Sequence, residues 1–542
     1  MNTKYDVITD PADPRLAEIG ALLNSGGVAA IPTETVYGLA ANALDPKAVE
    51  KIFAAKGRPA DNPLIVHICD MAQWAPLVQE IPPAAKKLAK AFWPGPLTVI
   101  LKKTPLVPDI VSGGLDTVAV RMPSHPIARA ILKACGVPLA APSANRSGKP
   151  SPTDGPSVLA DMDGRIDAIV DAGPCSVGVE STVVSLVGAA PRVLRPGGVT
   201  PDMLEAVLGP VEIDDAVLHR LADGQAAASP GMKYKHYAPE AQVVILKGDF
   251  AAYRAFVEAH RRDGTVALCF EEEAALLGVP AVTYGRAEDS ASQAQRLFDA
   301  LREMDAKGAK RVFARFPAQS GMGLAVLNRL VRAAAFRVID LAAPPVRVFG
   351  LTGKTGAGKS TVAEKLRQRG WYIIDTDVLA RRVVEPGTRT LSALTDAFGQ
   401  SILLPDGTLD RKALVRAAVT QPNGVQTLNA ITHPAIDDLV EDALLDAAAQ
   451  GYKNALIDAA ALLESPTRRR CDAIIVVTAS EGTRLRRIMA RDGLSEPVAR
   501  ERMKMQKKDD YYLSAADVVI NNEPPFDLDA QLNDLEERHE TV

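Results

Sequence analysis

A chain of 542 residues exceeds what one ordinary hydrophobic core organises, so two to four domains are expected. Hydrophobic residues at 47% and charged residues at 24% exclude wholesale disorder, and a net charge of −4 argues against a broad, nonspecific nucleic-acid surface. Five scattered cysteines without a CxxC pair give no basis for a disulfide framework or a zinc site. The N-terminal stretch is polar and acidic where a signal peptide would be basic and then apolar, and no run has the apolar length of a membrane span. The expectation is a cytoplasmic protein.

The first 210 residues alternate apolar runs at 28–31, 64–68, 97–101 and 118–122 with helical stretches, which reads as α/β. Polar groups gather where these runs end. Pro32-Thr33-Glu34-Thr35-Val36-Tyr37-Gly38 follows the first run, and Lys56-Gly57-Arg58 precedes the run that holds His67. Ser143-Ala144-Asn145 follows another apolar end, and Gly178-Val179-Glu180-Ser181-Thr182 and Arg195-Pro196-Gly197-Gly198 complete the set. Taken singly, each is ambiguous: Lys56 and Arg58 are either ligands or a surface pair, and His67 is either a ligand or a satisfied core histidine. Together they place cations, hydroxyls and amides at strand ends, where open α/β sheets bind ligands.

An Ala-rich stretch then leads into Pro230-Gly231-Met232-Lys233-Tyr234-Lys235-His236-Tyr237-Ala238-Pro239, dense in aromatics and cations for a passive connection. A smaller α/β unit follows, with apolar runs at 265–270 and 311–316 and a helix around 323–335, up to Ala342-Ala343-Pro344-Pro345. The expected division is 1–212, a linker at 213–242, an accessory domain at 243–343, and a last domain at 346–542.

In the last domain the apolar run 346–351 precedes Gly353-Lys354-Thr355-Gly356-Ala357-Gly358-Lys359-Ser360, and a helical pattern opens near Thr361. Strand, Gly-rich turn and helix form the setting of a P-loop. Gly353, Gly356 and Gly358 let backbone N–H groups converge on phosphate oxygens, with Thr361 at the helix start. Lys359 is expected to reach the β- and γ-phosphates of ATP, and Ser360 to ligate Mg²⁺. After the next apolar run, Asp375-Thr376-Asp377 supplies either a carboxylate for an acceptor hydroxyl or a pair of helix caps. Arg484, Arg486, Arg487, Arg491, Arg500 and Arg502 form either a phosphoryl clamp or, for most of them, a solvated basic face.

The P-loop, Ile374-Asp375-Thr376-Asp377-Val378-Leu379-Ala380-Arg381, Ile431-Thr432-His433-Pro434, the Arg-rich stretch and Ala516-Asp517-Val518-Val519-Ile520-Asn521-Asn522 together resemble dephospho-coenzyme A kinase. The resemblance implies transfer of the ATP γ-phosphoryl to the ribose 3′-hydroxyl of dephospho-coenzyme A. Asp377, Lys359 and Arg491 match the family's catalytic aspartate, P-loop lysine and lid arginine. Two departures are visible: Lys354-Thr355 replaces the usual Gly-Ile, and 458–464 lacks the usual proline and phenylalanine.

The ordered loop set of the first half resembles the YrdC-like threonylcarbamoyl-AMP synthase family in its long form, which carries an accessory domain. That resemblance implies joining of L-threonine, bicarbonate and ATP into threonylcarbamoyl-adenylate with release of pyrophosphate. Lys56 and Arg58 are then assigned to the departing pyrophosphate, and Ser143, Asn145 and Arg195 to the nucleotide. Thr35, His67, Arg121 and Ser181 are assigned to threonine, and Tyr234 and Tyr237 to a closing lid. Mg²⁺ would ride on the phosphates, and a separate transferase complex would deliver threonylcarbamoyl to tRNA.

The fold expected is a YrdC-like twisted open sheet, a small Rossmann-like α/β domain, and a P-loop kinase with a parallel sheet and helical lid. At the sequence level two alternatives stay open. The first half is otherwise an RNA-binding module, and the second otherwise a kinase for another nucleoside or small alcohol.

Overall fold

The computed structural model describes residues 2–59, 62–219, 237 and 239–540. It divides into two compact units, Met1–Ala342 and Ala343–Val542. The four apolar runs of the first half become strands Ala29–Ile31, Ile65–His67, Leu97–Lys102 and Thr117–Arg121. They belong to an eleven-stranded sheet that mixes parallel and antiparallel pairs.

Leu97–Lys102 explains the layering. Its first five residues are all buried, because layers cover both faces of the sheet. Leu97, Val99 and Leu101 enter the large core beside Val66, Val118 and Val120, while Ile100 faces Ile65, Ala119 and Val183 on the other side. Burying each such side chain contributes about 1.5–3 kcal/mol. The second face turns polar at one end. In register, His67 lies opposite Arg121, and Arg121 opposite Thr98. Each is two residues along its strand from Ile65, Ala119 or Ile100, so the three share that face.

The remainder of the first unit holds a five-stranded sheet that is parallel throughout. Its order is Ala281–Thr283, Thr265–Cys269, Arg311–Arg315, Gln242–Lys247 and Val338–Asp340. Helix Gly321–Ala333 is buried at every residue from 323 to 333. A helix buried all round must satisfy its polar side chains internally. Asn328 donates to the Val217 carbonyl at 2.6 Å and Arg332 to that of Ala216 at 2.8 Å, both within the stretch 213–242 expected as a linker. Of the aromatic segment 230–239, only Tyr237 and Pro239 are described, so Tyr234 lies outside the described residues.

The second unit is built on a parallel sheet in the order Tyr372–Asp375, Asn454–Asp458, Arg347–Thr352, Ala473–Thr478, Val518–Asn521. Helices Arg389–Phe398 and Arg411–Thr420 pack with the start of Gly424–Ala449 around Leu394, Phe398, Ile402 and Leu414, a cluster separate from the sheet core. Helices Glu481–Asp492 and Glu496–Lys504 pair through Leu485, Ile488 and Ala499. No helix among the described residues is long and apolar enough to cross a membrane.

One helix start differs from the sequence reading, and another decides between two roles for a pair of aspartates. The P-loop helix begins at Lys359 rather than near Thr361, since Gly358 already caps it in a left-handed conformation. The next helix is Thr376–Arg382, with Asp375 accepting from the Asp377 and Val378 amides. Asp375 is therefore a cap, and Asp377 is not.

Candidate active sites

In the first unit Thr35, Lys56, Arg58, His67, Arg121, Ser143, Asn145, Ser181, Arg195 and Tyr237 all line one cavity. Their polar atoms are largely bonded to one another. The Lys56 ammonium donates to the Ser143 carbonyl, to the Asn145 carbonyl at 2.8 Å and to Asn145 Oδ1 at 3.3 Å. It thereby fixes the Ser-x-Asn loop, a task the sequence did not suggest. Burial lowers its pKa to about 7, and the neighbouring Arg58 adds to the effect. Ser143 Oγ donates to Asn145 Oδ1 at 2.6 Å, and Asn145 Nδ2 closes the loop on the Arg146 and Lys149 carbonyls.

On the polar face of the sheet, Arg121 donates to Thr35 Oγ1 at 2.9 Å and pairs with Glu34 at 2.8 Å. Its charge is thus already shared with a carboxylate. His67 Nδ1 lies 3.2 Å from the Ile65 carbonyl, which can only accept, so Nδ1 carries the proton and Nε2 is an acceptor. Burial, with Arg121 adding, drops the His67 pKa to about 3, so the ring is neutral at physiological pH. Thr98 and Ser181 hydroxyls meet at 2.8 Å, and Arg195 donates to the Ser181 carbonyl and hydroxyl at 3.1 and 3.2 Å. Tyr237, at φ 60°, rests on Phe298 with ring centroids 5.1 Å apart.

Glu180 is the participant that sequence reasoning quoted but gave no role. It lines the cavity, accepts from Ser151 at 2.6 Å, and pairs with Arg329 at 2.9 Å. Burial works against its charge, but Arg329 and then Arg195 outweigh that and hold its pKa down at about 2.

The second unit gathers its candidate residues at the carboxyl ends of three parallel strands, where doubly wound sheets bind ligands. Arg347–Thr352 feeds the P-loop, Tyr372–Asp375 ends beside Asp377, and Asn454–Asp458 runs between those strands with Asp458 opposite Asp375. Gly353 has φ 144° and Gly358 φ 96°; a side chain at either would strike the Val477 carbonyl or Asn522. Only glycine fits these positions. Lys359 donates to the Gly353 carbonyl at 3.1 Å. Burial lowers its pKa, while Asp458 and Asp377 oppose that shift and Arg491 reinforces it, so these four charges share one neighbourhood. Burial raises the Asp458 pKa to about 6, with Asp375 and Asp377 adding and Lys359 opposing. Asp458 was not singled out in the sequence. Ser360, Thr361 and Asp377 are exposed.

The arginine run divides. Arg484 donates to the Thr355 carbonyl, and Arg487 to the Gly356, Ala357 and Asn522 carbonyls, so these two brace the P-loop. Arg491 and Arg502 share Asp492, each at 2.8 Å, and Arg500 pairs with Glu481 and Glu496. The departures at 354–355 have partners as well. Lys354 pairs with Asp509 at 2.6 Å, and Thr355 exchanges two hydrogen bonds with Gln506, at 3.1 and 2.9 Å.

Three family models match the chain. One described as "Telomere recombination", for Sua5, YciO and YrdC proteins, covers residues 21–197. The threonylcarbamoyl-AMP synthase C-terminal domain covers 199–335, and dephospho-CoA kinase covers 347–527. The threonylcarbamoyl-AMP synthase of Bacillus subtilis is 46% identical over 334 residues, 60% of this chain and 95% of the relative. The dephospho-CoA kinase of Corynebacterium efficiens is 43% identical over 188 residues, 34% of this chain and 94% of the relative. The chain belongs to both families. Among solved structures, Sua5 of P. abyssi complexed with L-threonine matches with a TM-score of 0.58 and 41% identity, over 63% of this chain and 99% of that one. The synthase half and the kinase half are thus each matched across nearly the whole of a relative.

Proposed function

We propose that the chain is a bifunctional, ATP-dependent enzyme whose two reactions cut ATP at different bonds. The synthase half condenses L-threonine with bicarbonate, with loss of water, and joins the resulting carbamate to the α-phosphate of ATP. The carbamate O–Pα bond forms as the bond from Pα to the bridging oxygen of pyrophosphate breaks. The kinase half forms a bond between the ribose 3′-oxygen of dephospho-coenzyme A and Pγ, and the Pγ–O bond to ADP breaks. The observation that carries the first reading is the convergence of the dispersed loop motifs on one cavity. The second rests on the P-loop, Asp377 and Asp458 standing together at the carboxyl edge of a parallel sheet.

Within the synthase cavity, Arg195 and Arg58 face the phosphates, and Lys56 holds the Ser143–Asn145 loop against the nucleotide while adding positive potential. Arg121 and Thr35 take the threonine carboxylate and hydroxyl, and neutral His67 offers Nε2 to a threonine donor. Ser181, fixed by Thr98 and Arg195, completes the substrate site. Tyr237 covers the pocket, where exclusion of water protects a labile adenylate.

In the kinase, exposed Asp377 takes the proton of the acceptor hydroxyl, Lys359 holds the β- and γ-phosphates, and Arg491 approaches the transferring group. No group of three His, Cys, Asp or Glu among the described residues would hold a metal alone. The exposed Ser360 hydroxyl in the first helical turn, with Asp458 near the adjacent Lys359, fits Mg²⁺ that arrives on the phosphates and neutralises their charge. Five free cysteines suit a reducing cytoplasm, and the adenylate would pass to a transferase complex acting on tRNA.

The test follows two labels of ATP in full-length protein. Threonine and bicarbonate should release labelled pyrophosphate from β,γ-labelled ATP, and dephospho-coenzyme A should acquire the γ-label. Failure of either transfer removes that half of the reading.

A further inference from the structure

Arg329 has no part in the reaction as described, yet it reaches the nucleotide site from a distant segment. It lies on the buried helix Gly321–Ala333, with a relative exposure of 0%. Nε donates to Glu180 Oε2 at 2.9 Å and Nη2 to the Glu180 carbonyl at 3.1 Å, while Nη1 meets the Pro196 carbonyl. Glu180 precedes Ser181 and Pro196 follows Arg195, so one guanidinium ties together the neighbours of two residues that line the cavity.

The charges suggest more than a tie. Glu180 is a single carboxylate, with its other oxygen bonded to Ser151, and both Arg329 and Arg195 act on it. A buried carboxylate left with one arginine would pair with that arginine, and the pair would offer an incoming polyphosphate no net charge. With two arginines against one carboxylate, this cluster keeps one positive charge of its own, beside those of Lys56 and Arg58.

We infer that Arg329 is a positioning residue for adenylate formation: it neutralises Glu180 and so leaves Arg195 available to the phosphates of ATP. The inference rests on the synthase reading above. It makes the segment after the linker part of the nucleotide site through a charge rather than through packing alone. It also separates from a purely mechanical clamp, because a clamp needs the hydrogen bonds of Arg329 whereas charge balance does not.

The experiment measures KM for ATP in threonine- and bicarbonate-dependent pyrophosphate release, a readout blind to the kinase, using full-length protein. Arg329→Met should raise KM for ATP roughly ten-fold or more while kcat falls far less. The double variant Glu180→Gln with Arg329→Met restores one unopposed Arg195, and its KM should return to within about three-fold of the parent. An unrescued double variant, or an unchanged KM in Arg329→Met, overturns the inference. If Arg329→Met does not fold, because Glu180 is left buried and unpaired, the double variant decides alone by the same criterion. A parent enzyme that releases no threonine-dependent pyrophosphate would instead overturn the synthase reading, and the inference with it.

Discussion

The synthase cavity and the kinase cleft differ in how far their polar groups are satisfied before any substrate arrives. In the cavity, Lys56, Asn145, Arg121, Ser181 and Arg195 are buried and bonded to one another or to backbone. In the cleft, Asp377 is exposed, and the Arg491 side chain is 58% exposed and paired with its neighbour Asp492. The chemistry accounts for the contrast. A reaction that builds a water-sensitive adenylate benefits from a rigid, dry pocket, whereas a kinase admits a large acceptor before its lid closes. One consequence is general: substitutions in the cavity should cost stability along with activity, and substitutions in the cleft should cost activity alone.

Asp377→Asn offers the largest separation of the two quantities. Its carboxylate is exposed, so the thermal midpoint of the kinase half should hold while kcat for coenzyme A formation falls about 10²- to 10⁴-fold. A lowered midpoint would break the comparison. Lys56→Met should do the reverse of holding steady. It removes three donors from the Ser143–Asn145 loop, so chemical denaturation of the synthase half should report a loss of roughly 2–4 kcal/mol beside the loss of pyrophosphate release.

His67 gives the comparison a pH axis. The unfolded chain takes up this proton near 6.5 and the folded protein only at about 3. Stability of the synthase half therefore falls as pH drops below 6.5, and this contribution levels off only at about 3. Between pH 6.5 and 5 the loss is about 2 kcal/mol, and His67→Asn should recover about that much relative to the parent in urea titrations at the two pH values. An equal slope in both proteins would show that the ring is not buried as described. The smallest effect belongs to Thr355→Val. It removes one hydrogen bond to Gln506 and should raise the kinase KM for ATP by less than about ten-fold, corresponding to about 1 kcal/mol.

Much of the cavity was legible because its residues sit in loop motifs at the ends of apolar runs. Thr35, Ser143 and Ser181 fall in such loops, Lys56 and Arg195 end the helix Pro46–Lys56 and the strand Arg192–Arg195, and strand register then brings His67 beside Arg121. Arg329 was not legible. Its partner lies 149 residues away, and within an apolar helix its sequence carries no sign that the position is buried. Arg484 and Arg487 show the same limit in the kinase half. A run of arginines on a helix reads as a solvated face, and only the fold reveals carbonyl groups of the P-loop in reach of two of them. The P-loop helix start was misplaced by two residues because glycine propensity argues against a helix just where Gly358 caps one.

Each half carries its own complete site. The most direct measurement assays pyrophosphate release and coenzyme A formation side by side in full-length Arg58→Ala and Lys359→Ala proteins. Arg58→Ala should lose the first reaction and keep the second, and Lys359→Ala should do the opposite. Loss of both reactions from either substitution would contradict it.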